Sequence, residues 1–328
     1  MKKLLITRWI PESVLEKYRP YFDEIICPKE EEAVFSDEEI RKAIPDCIAL
    51  YTVGGYRCGK DLIDLGKNLK VIGNFGVGYD NIDDKYATEK GIFVVNTPNA
   101  VMQPTAEFTV ALIMAIARGV VMYDKPLRES KFCTKVGGMF FDRDMMLYGK
   151  TLGVLGFGRI GRAVAQKCQG LGMNVIFYDP FPPTPEVQKQ LNAKSMTFDE
   201  VVQRADVVTC HMPYTPENHR IINKDVFKKM KKTAYFVNAA RGAVMNEVEL
   251  AQALKEGEIR GAAIDVFEFE PKVTEELASL ENVVITPHVA SCVKEARINM
   301  ANETLTGITE LLSGKRPHNV VNPELFDR

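Results

Sequence analysis

Short apolar runs alternate with helical stretches from the first residues of the chain. LLIT, EIIC, CIALYT, LKVIGNFG and IFVVN read as buried strands, and helix-start signals stand between them. Ser36 and Glu39 in SDEEIRKAI have capping-box spacing ahead of an apolar face, Pro11 suits a first turn, and Asp83 precedes DKYATEKG. This βαβα order predicts an α/β unit over residues 1–100. The next segment, Thr105 to Arg128, is apolar on nearly all sides, which predicts one helix buried between layers. Gly137 to Gly149 follows without a clear period, and two readings stand for it: a loop packed on its own domain, or an arm packed on a second subunit.

From Thr151 the pattern sharpens. The strand TLGVLG runs into Gly156-Phe157-Gly158-Arg159-Ile160-Gly161 and then into the helical RAVAQKCQGLG. Gly156 suits a tight turn, Gly158 lets the backbone approach a pyrophosphate, and Gly161 lets the helix pack close to the strand. A second strand, NVIFYD, ends in Asp179, where a carboxylate can accept hydrogen bonds from an adenosine ribose. Such a carboxylate repels a 2′-phosphate, so the expected cofactor is NAD in preference to NADP. Further strands follow at ADVVTCHMP, TAYFVNAA, RGAAIDVF and NVVITPH, giving a second doubly wound parallel sheet over residues 101–289. The last stretch, residues 290–328, holds a long helix and a short tail, and the helix is expected to return to the first domain.

Composition narrows the partners. With 328 residues, 46% hydrophobic and 26% charged, the chain is large enough for two cores of ordinary domain size. A formal net charge of -2 gives no reason to expect nucleic acid or an anionic membrane, and the run Lys228 to Lys232 reads as a solvated helix end. The start MKKLLITRWIPES reads as a first strand, not a signal peptide, and no run approaches the length of a membrane-spanning helix. Seven scattered cysteines without CxxC pairs suit reduced thiols in a cytoplasm, with no metal site.

Four histidines limit the proton donors available near neutral pH. His288 in NVVITPHVAS and His211 in VVTCHMPYTPEN follow strands, at the carboxyl edge where α/β sites lie, whereas His219 and His318 have loop-like surroundings. Arg241 in VNAARGAVMNE ends another strand, where its guanidinium can grip a carboxylate with two prongs. Asp265 and Glu270 in AAIDVFEFEP lie just past the next strand. An arginine, an acid and a histidine after three strands of one sheet can converge on one site.

These motifs, with NFGVGYDNID and TPNAVMQPTAE, resemble the NAD-dependent D-isomer-specific 2-hydroxyacid dehydrogenase family over nearly the whole chain. The resemblance implies a Rossmann coenzyme domain inserted into a flavodoxin-like substrate domain. It implies that Arg241 binds the substrate carboxylate, that His288 acts as general acid or base, and that Glu270 orients and charges the histidine, since a carboxylate neighbour favours imidazolium. The amides of Val77 and Gly78 would hold the same carboxylate. Further cofactor contacts implied are Thr105, Arg159, Ile160, Met212, Pro213, Asn218 and Ala239, with Asp265 at the nicotinamide carboxamide. Relatives pair through the coenzyme domain, so a homodimer using GGMFFDRDMMLY is expected.

Asn218 stands where many members carry threonine, and Asn246 replaces a frequent aspartate. ALYTVGGYR lacks the arginine-serine pattern of phosphoglycerate-using relatives, and no regulatory domain follows the final helix, which favours an unphosphorylated, small or medium 2-oxo acid. Arg57 reads as a solvated loop residue and Cys292 as a packing residue. The alternatives are a glyoxylate or hydroxypyruvate reductase, a phosphoglycerate dehydrogenase, and a non-catalytic NAD(H)-sensing protein like the corepressors that resemble this family.

Overall fold

A computed structural model describes residues 1–130 and 144–327. Packing divides the chain into two units, Met1–Val101 with Cys292–Arg328, and Met102–Ser291.

The first unit is built on five parallel strands, β1 (Lys3–Ile6), β2 (Glu24–Ile26), β3 (Ala49–Thr52), β4 (Val71–Asn74) and β5 (Phe93–Val95), in the order β2-β1-β3-β4-β5. This is the flavodoxin-like order. Side chains alternate across each strand, so both faces need cover, which explains the unbroken apolar runs. Leu4, Ile6, Tyr51 and Val71 face one layer with Ala301, Leu305 and Ile308 of the helix Lys294–Leu312. Leu5, Leu50, Ile72 and Val94 face the other, against Ile40, Ile44, Leu62 and Ile63. Ser36 and Glu39 form the expected capping box, each side chain bonding the other residue's backbone amide, and Asp83 caps the helix Asp84–Glu89 through the amide of Tyr86.

The second unit has seven parallel strands, β6 (Thr151–Leu155), β7 (Asn174–Tyr178), β8 (Ala193–Ser195), β9 (Val207–Cys210), β10 (Tyr235–Asn238), β11 (Gly261–Ile264) and β12 (Val283–Ile285). Their order is β12-β11-β10-β9-β6-β7-β8, which turns around between β6 and β9. In open sheets of this kind, ligands sit at the carboxyl ends of the strands beside such a switch point. Strand β8 is an addition to the sequence reading: its three residues, Ala-Lys-Ser, carry no apolar run, and it holds its place at the sheet edge through pairing with β7.

The single helix expected from Thr105 to Arg128 is two helices, Met102–Ala117 and Val120–Ser130, bent by 65°. The break falls at Gly119, whose φ of +60° is left-handed and cannot continue a right-handed helix. The first helix buries Ala106, Leu112, Ile113 and Ile116 in the core of the unit, whereas the second exposes Val120, Val121 and Leu127. Of Gly137 to Gly149, residues 137–143 lie outside the described residues; Met145 and Leu147 pack into the same core, and Met146 and Tyr148 are exposed. Among the described residues, no single helix is long and apolar enough to cross a membrane.

Candidate active site

The turn after β6 shows why glycine stands where it does. Gly156 has φ +91°, and a Cβ there would lie 2.7 Å from the backbone of His211 and Met212, which leave β9 alongside. A Cβ on Gly161 would lie 2.3 Å from the Gly156 carbonyl oxygen, so the helix Arg159–Gly170 rests directly on the turn. Nothing stands within 4 Å of where a Gly158 Cβ would be, leaving open space at the N-terminal end of that helix. At the end of β7, Asp179 accepts the Phe157 amide at 2.7 Å and the Phe181 amide at 2.8 Å, which ties the strand end to the turn. Each oxygen keeps lone pairs for ribose hydroxyls. An open cradle for phosphates beside a fixed carboxylate fits a dinucleotide.

The other expected cofactor residues sit in varied surroundings. Arg159 is exposed and Ile160 half-buried at the start of the fingerprint helix; Met212 is buried and Pro213 exposed after β9; Ala239 is buried after β10; Thr105 is buried on the helix Met102–Ala117. Asn218 bonds the Thr215 amide and the Pro213 carbonyl, shaping the 213–218 turn. His211 lies beside Thr209, with Nε2 3.1 Å from its hydroxyl, and desolvation pushes its imidazole down to about 4. It is therefore neutral at neutral pH and has no proton to give there.

Glu270 and His288 meet on the second unit, with the charge of Arg241 within electrostatic reach of Glu270. Nδ1 of His288 is 2.9 Å from Oε2 of Glu270, and both side chains are well exposed to a reactant. Burial pushes the Glu270 carboxyl up, but the hydrogen bond from His288, the Phe267 amide and the positive charges of His288 and Arg241 outweigh it and hold the group below its ordinary value. His288 has φ +53°, a left-handed conformation that only surrounding structure can impose on a side-chain-bearing residue. Its amide donates to the carbonyls of Asp265 and Thr286. The fully buried Asp265 carboxylate takes the Thr286 hydroxyl at 2.6 Å and the amides of Val289 and Ala290 at 2.9 Å each. Asp265 thus holds the loop that presents His288.

Supporting residues escaped the sequence reading. Buried Asn238 accepts the Ala240 amide and donates to the Arg241 carbonyl, fixing the loop that carries Arg241. Gly242 lies against the next loop so closely that a Cβ would stand 2.0 Å from the Phe267 carbonyl. Fully buried Glu247 accepts the amides of Glu268 and Thr274 and the Thr274 hydroxyl, anchoring the strap that contains Glu270 at two points. Glu268, ion-paired to Arg220, accepts the Glu247 amide in return. A polar residue closing an apolar strand was the available signal for Asn238; nothing in the spacing marked Glu247.

Val77 and Gly78 belong to the first unit, in the half-buried loop after β4, and their backbone amides have no partner among the described residues. Among the described residues, no group of three or more His, Cys, Asp or Glu side chains gathers as a metal site.

A twisted parallel sheet reversing beside a glycine turn, with a carboxylate at the end of the adjacent strand, defines a dinucleotide-binding α/β domain. The sequence pattern of the D-isomer specific 2-hydroxyacid dehydrogenase, NAD binding domain, matches residues 110–290. A provisionally named 2-hydroxyacid dehydrogenase of Staphylococcus aureus (strain MRSA252) is 38% identical over 322 residues, 98% of this chain and all of that protein. Among solved structures, a glyoxylate reductase from Paecilomyes thermophila is 27% identical with a TM-score of 0.87, over 98% of both chains. A D-lactate dehydrogenase from Aquifex aeolicus, complexed with NAD and lactic acid, is 26% identical with a TM-score of 0.82, over 98% of this chain and 99% of that one. The chain belongs to the D-isomer specific 2-hydroxyacid dehydrogenase family and carries its NAD-binding domain.

Proposed function

We propose that the protein reversibly reduces a small or medium, unphosphorylated 2-oxo acid to the D-2-hydroxy acid. The observation that carries this reading is the His288–Glu270 pair, with Arg241 close enough to depress the Glu270 carboxyl, on the sheet that bears the dinucleotide fingerprint. The chemistry that NADH would supply, when held by the fingerprint residues, is a hydride for substrate C2. His288 gives its proton to the oxygen as it gains charge, so one hydride and one proton convert C=O to CH–OH. Glu270 fixes the ring through Nδ1, leaving Nε2 for the substrate oxygen, and balances the charge of the imidazolium. Arg241 grips the substrate carboxylate and polarises the oxo group. The backbone amides of Val77 and Gly78, on the first unit, suit a carboxylate.

For the cofactor, Gly156, Gly158, Arg159, Ile160 and Gly161 would receive the pyrophosphate and Asp179 the adenosine ribose. Thr105, Met212, Pro213, Asn218, Ala239 and Asp265 would complete the contacts. Because Asp179 would face a 2′-phosphate with negative charge, kcat/KM with NADH is expected to exceed that with NADPH by tenfold or more. Equal values would remove Asp179 from that role. A homodimer is the matching assembly, with the exposed apolar residues Val120, Val121 and Leu127 available to cover, and a cytoplasmic enzyme fits the free cysteines.

The test is consumption of NADH with a panel of 2-oxo acids: glyoxylate, pyruvate, hydroxypyruvate, 2-oxoisocaproate and phenylpyruvate. Turnover of one or more supports the reading. Tight NADH binding without turnover of any would point instead to a dinucleotide-sensing protein.

A further inference from the structure

We propose that Asn96 and Asn74 are positioning residues that build the carboxylate-binding loop of the first unit by turning its peptide planes. The inference rests on the function proposed above and deepens it.

In a trans peptide, the C=O of one residue and the N–H of the next point in opposite directions. Fixing a carbonyl inward therefore aims the following amide outward. In the loop after β4, all three carbonyls from Gly76 to Gly78 are taken by the protein. The Gly76 carbonyl accepts the Thr97 amide at 3.0 Å and a longer contact from Nδ2 of Asn74 at 3.4 Å. The Val77 carbonyl accepts Nδ2 of Asn96 at 2.8 Å. The Gly78 carbonyl accepts Nδ2 of Asn74 at 2.7 Å. The two amides that follow the Gly76 and Val77 carbonyls, those of Val77 and Gly78, have no partner among the described residues. Two adjacent N–H groups facing away from a loop whose acceptors are all satisfied form a concave anion site.

The asparagines are themselves held in the orientation this requires. Asn74, only 3% exposed, accepts the Thr52 hydroxyl and Nδ2 of Asn81 on its Oδ1, which leaves Nδ2 for the loop. The backbone of Asn96 is clamped on both sides by Asn319, which receives its amide on the main-chain carbonyl and gives Nδ2 to its carbonyl. Asn74 ends β4 and Asn96 follows β5, strands whose other side chains are apolar, so each is a polar group at the end of an apolar run. Aspartate at either position would offer only acceptors to a carbonyl and would bring a negative charge beneath the anion site.

Asn96 is the better position to change, because it is half-buried and Asn74 lies in the core. With Asn96→Ala the expected result is a rise in KM for the 2-oxo acid of about tenfold, the scale of one charge-assisted hydrogen bond. The affinity for NADH and the Tm should stay near wild type, and kcat should change less than about threefold. Asn96→Asp should raise KM further. A KM within twofold of wild type in both variants, with wild-type turnover present, overturns the inference alone. A second readout separates it from the reaction: oxamate, an unreactive 2-oxo acid analogue, should shift the Val77 and Gly78 amide resonances in the wild type and do so at about tenfold higher concentration in Asn96→Ala. If oxamate shifts them this way but no 2-oxo acid is reduced, the loop assignment stands and the proposed reaction fails. If oxamate leaves both resonances unmoved in the wild type, the loop assignment falls.

Discussion

Replacing His288 with glutamine is expected to lower kcat for 2-oxo acid reduction by a factor of about 100 to 10,000, the range associated with losing a positioned proton donor. Glutamine keeps a side chain of similar reach but has no titrating group. The dissociation constant for NADH should remain near that of the wild type, because the fingerprint turn and Asp179 are held by their own bonds, independent of the imidazole. Steady-state rates with saturating 2-oxo acid, beside a fluorescence titration of NADH, read both quantities. An unchanged kcat would remove His288 from the proton transfer. His211, which follows β9, is not a substitute, since desolvation keeps it neutral until the pH falls to about 4.

The second large effect is expected at Arg241. Arg241→Lys preserves a positive charge but loses the planar fork that meets two carboxylate oxygens at once. A charge-assisted hydrogen bond contributes about 1.5 to 3 kcal/mol. Losing one such bond should therefore raise KM for the 2-oxo acid by about 10- to 100-fold, with a smaller fall in kcat. The change removes the bond from Nη1 of Arg241 to the Ala240 carbonyl, and the loop should survive it because Asn238 still holds the Ala240 amide and the Arg241 carbonyl. Initial-rate kinetics over a range of 2-oxo acid concentrations check the split. A normal KM with a collapsed kcat would place Arg241 in the chemical step and not in binding.

Strands with unbroken apolar runs, and the glycine turn between β6 and its helix, were legible because both faces of a parallel sheet are buried and because the turn admits no side chain. Strand β8 was not, since its three residues are held by pairing with β7 and carry no periodic signal of their own. The bend at Gly119 was hidden by apolar residues continuing past it, which serve burial before the glycine and lie exposed after it. At the site, Arg241, Glu270 and His288 were visible as polar residues just beyond strand ends. The residues that hold them were not: Glu247 acts through backbone amides of residues 21 and 27 positions away, and such long-range bonds leave no local spacing. Asp265 illustrates the intermediate case, found as an acid at the sheet edge but seen only in the structure to clamp the His288 loop through both oxygens.

The most direct measurement is the configuration of the hydroxy acid formed from a 2-oxo acid and NADH, read by chiral chromatography on whichever member of the panel is turned over fastest. With Arg241 as the proposed carboxylate anchor and His288 as the proposed proton donor, one face of the oxo group is expected to meet the hydride, and membership of the D-isomer specific family makes the D enantiomer the expected product. A racemic product, or the L enantiomer, would contradict the assigned geometry.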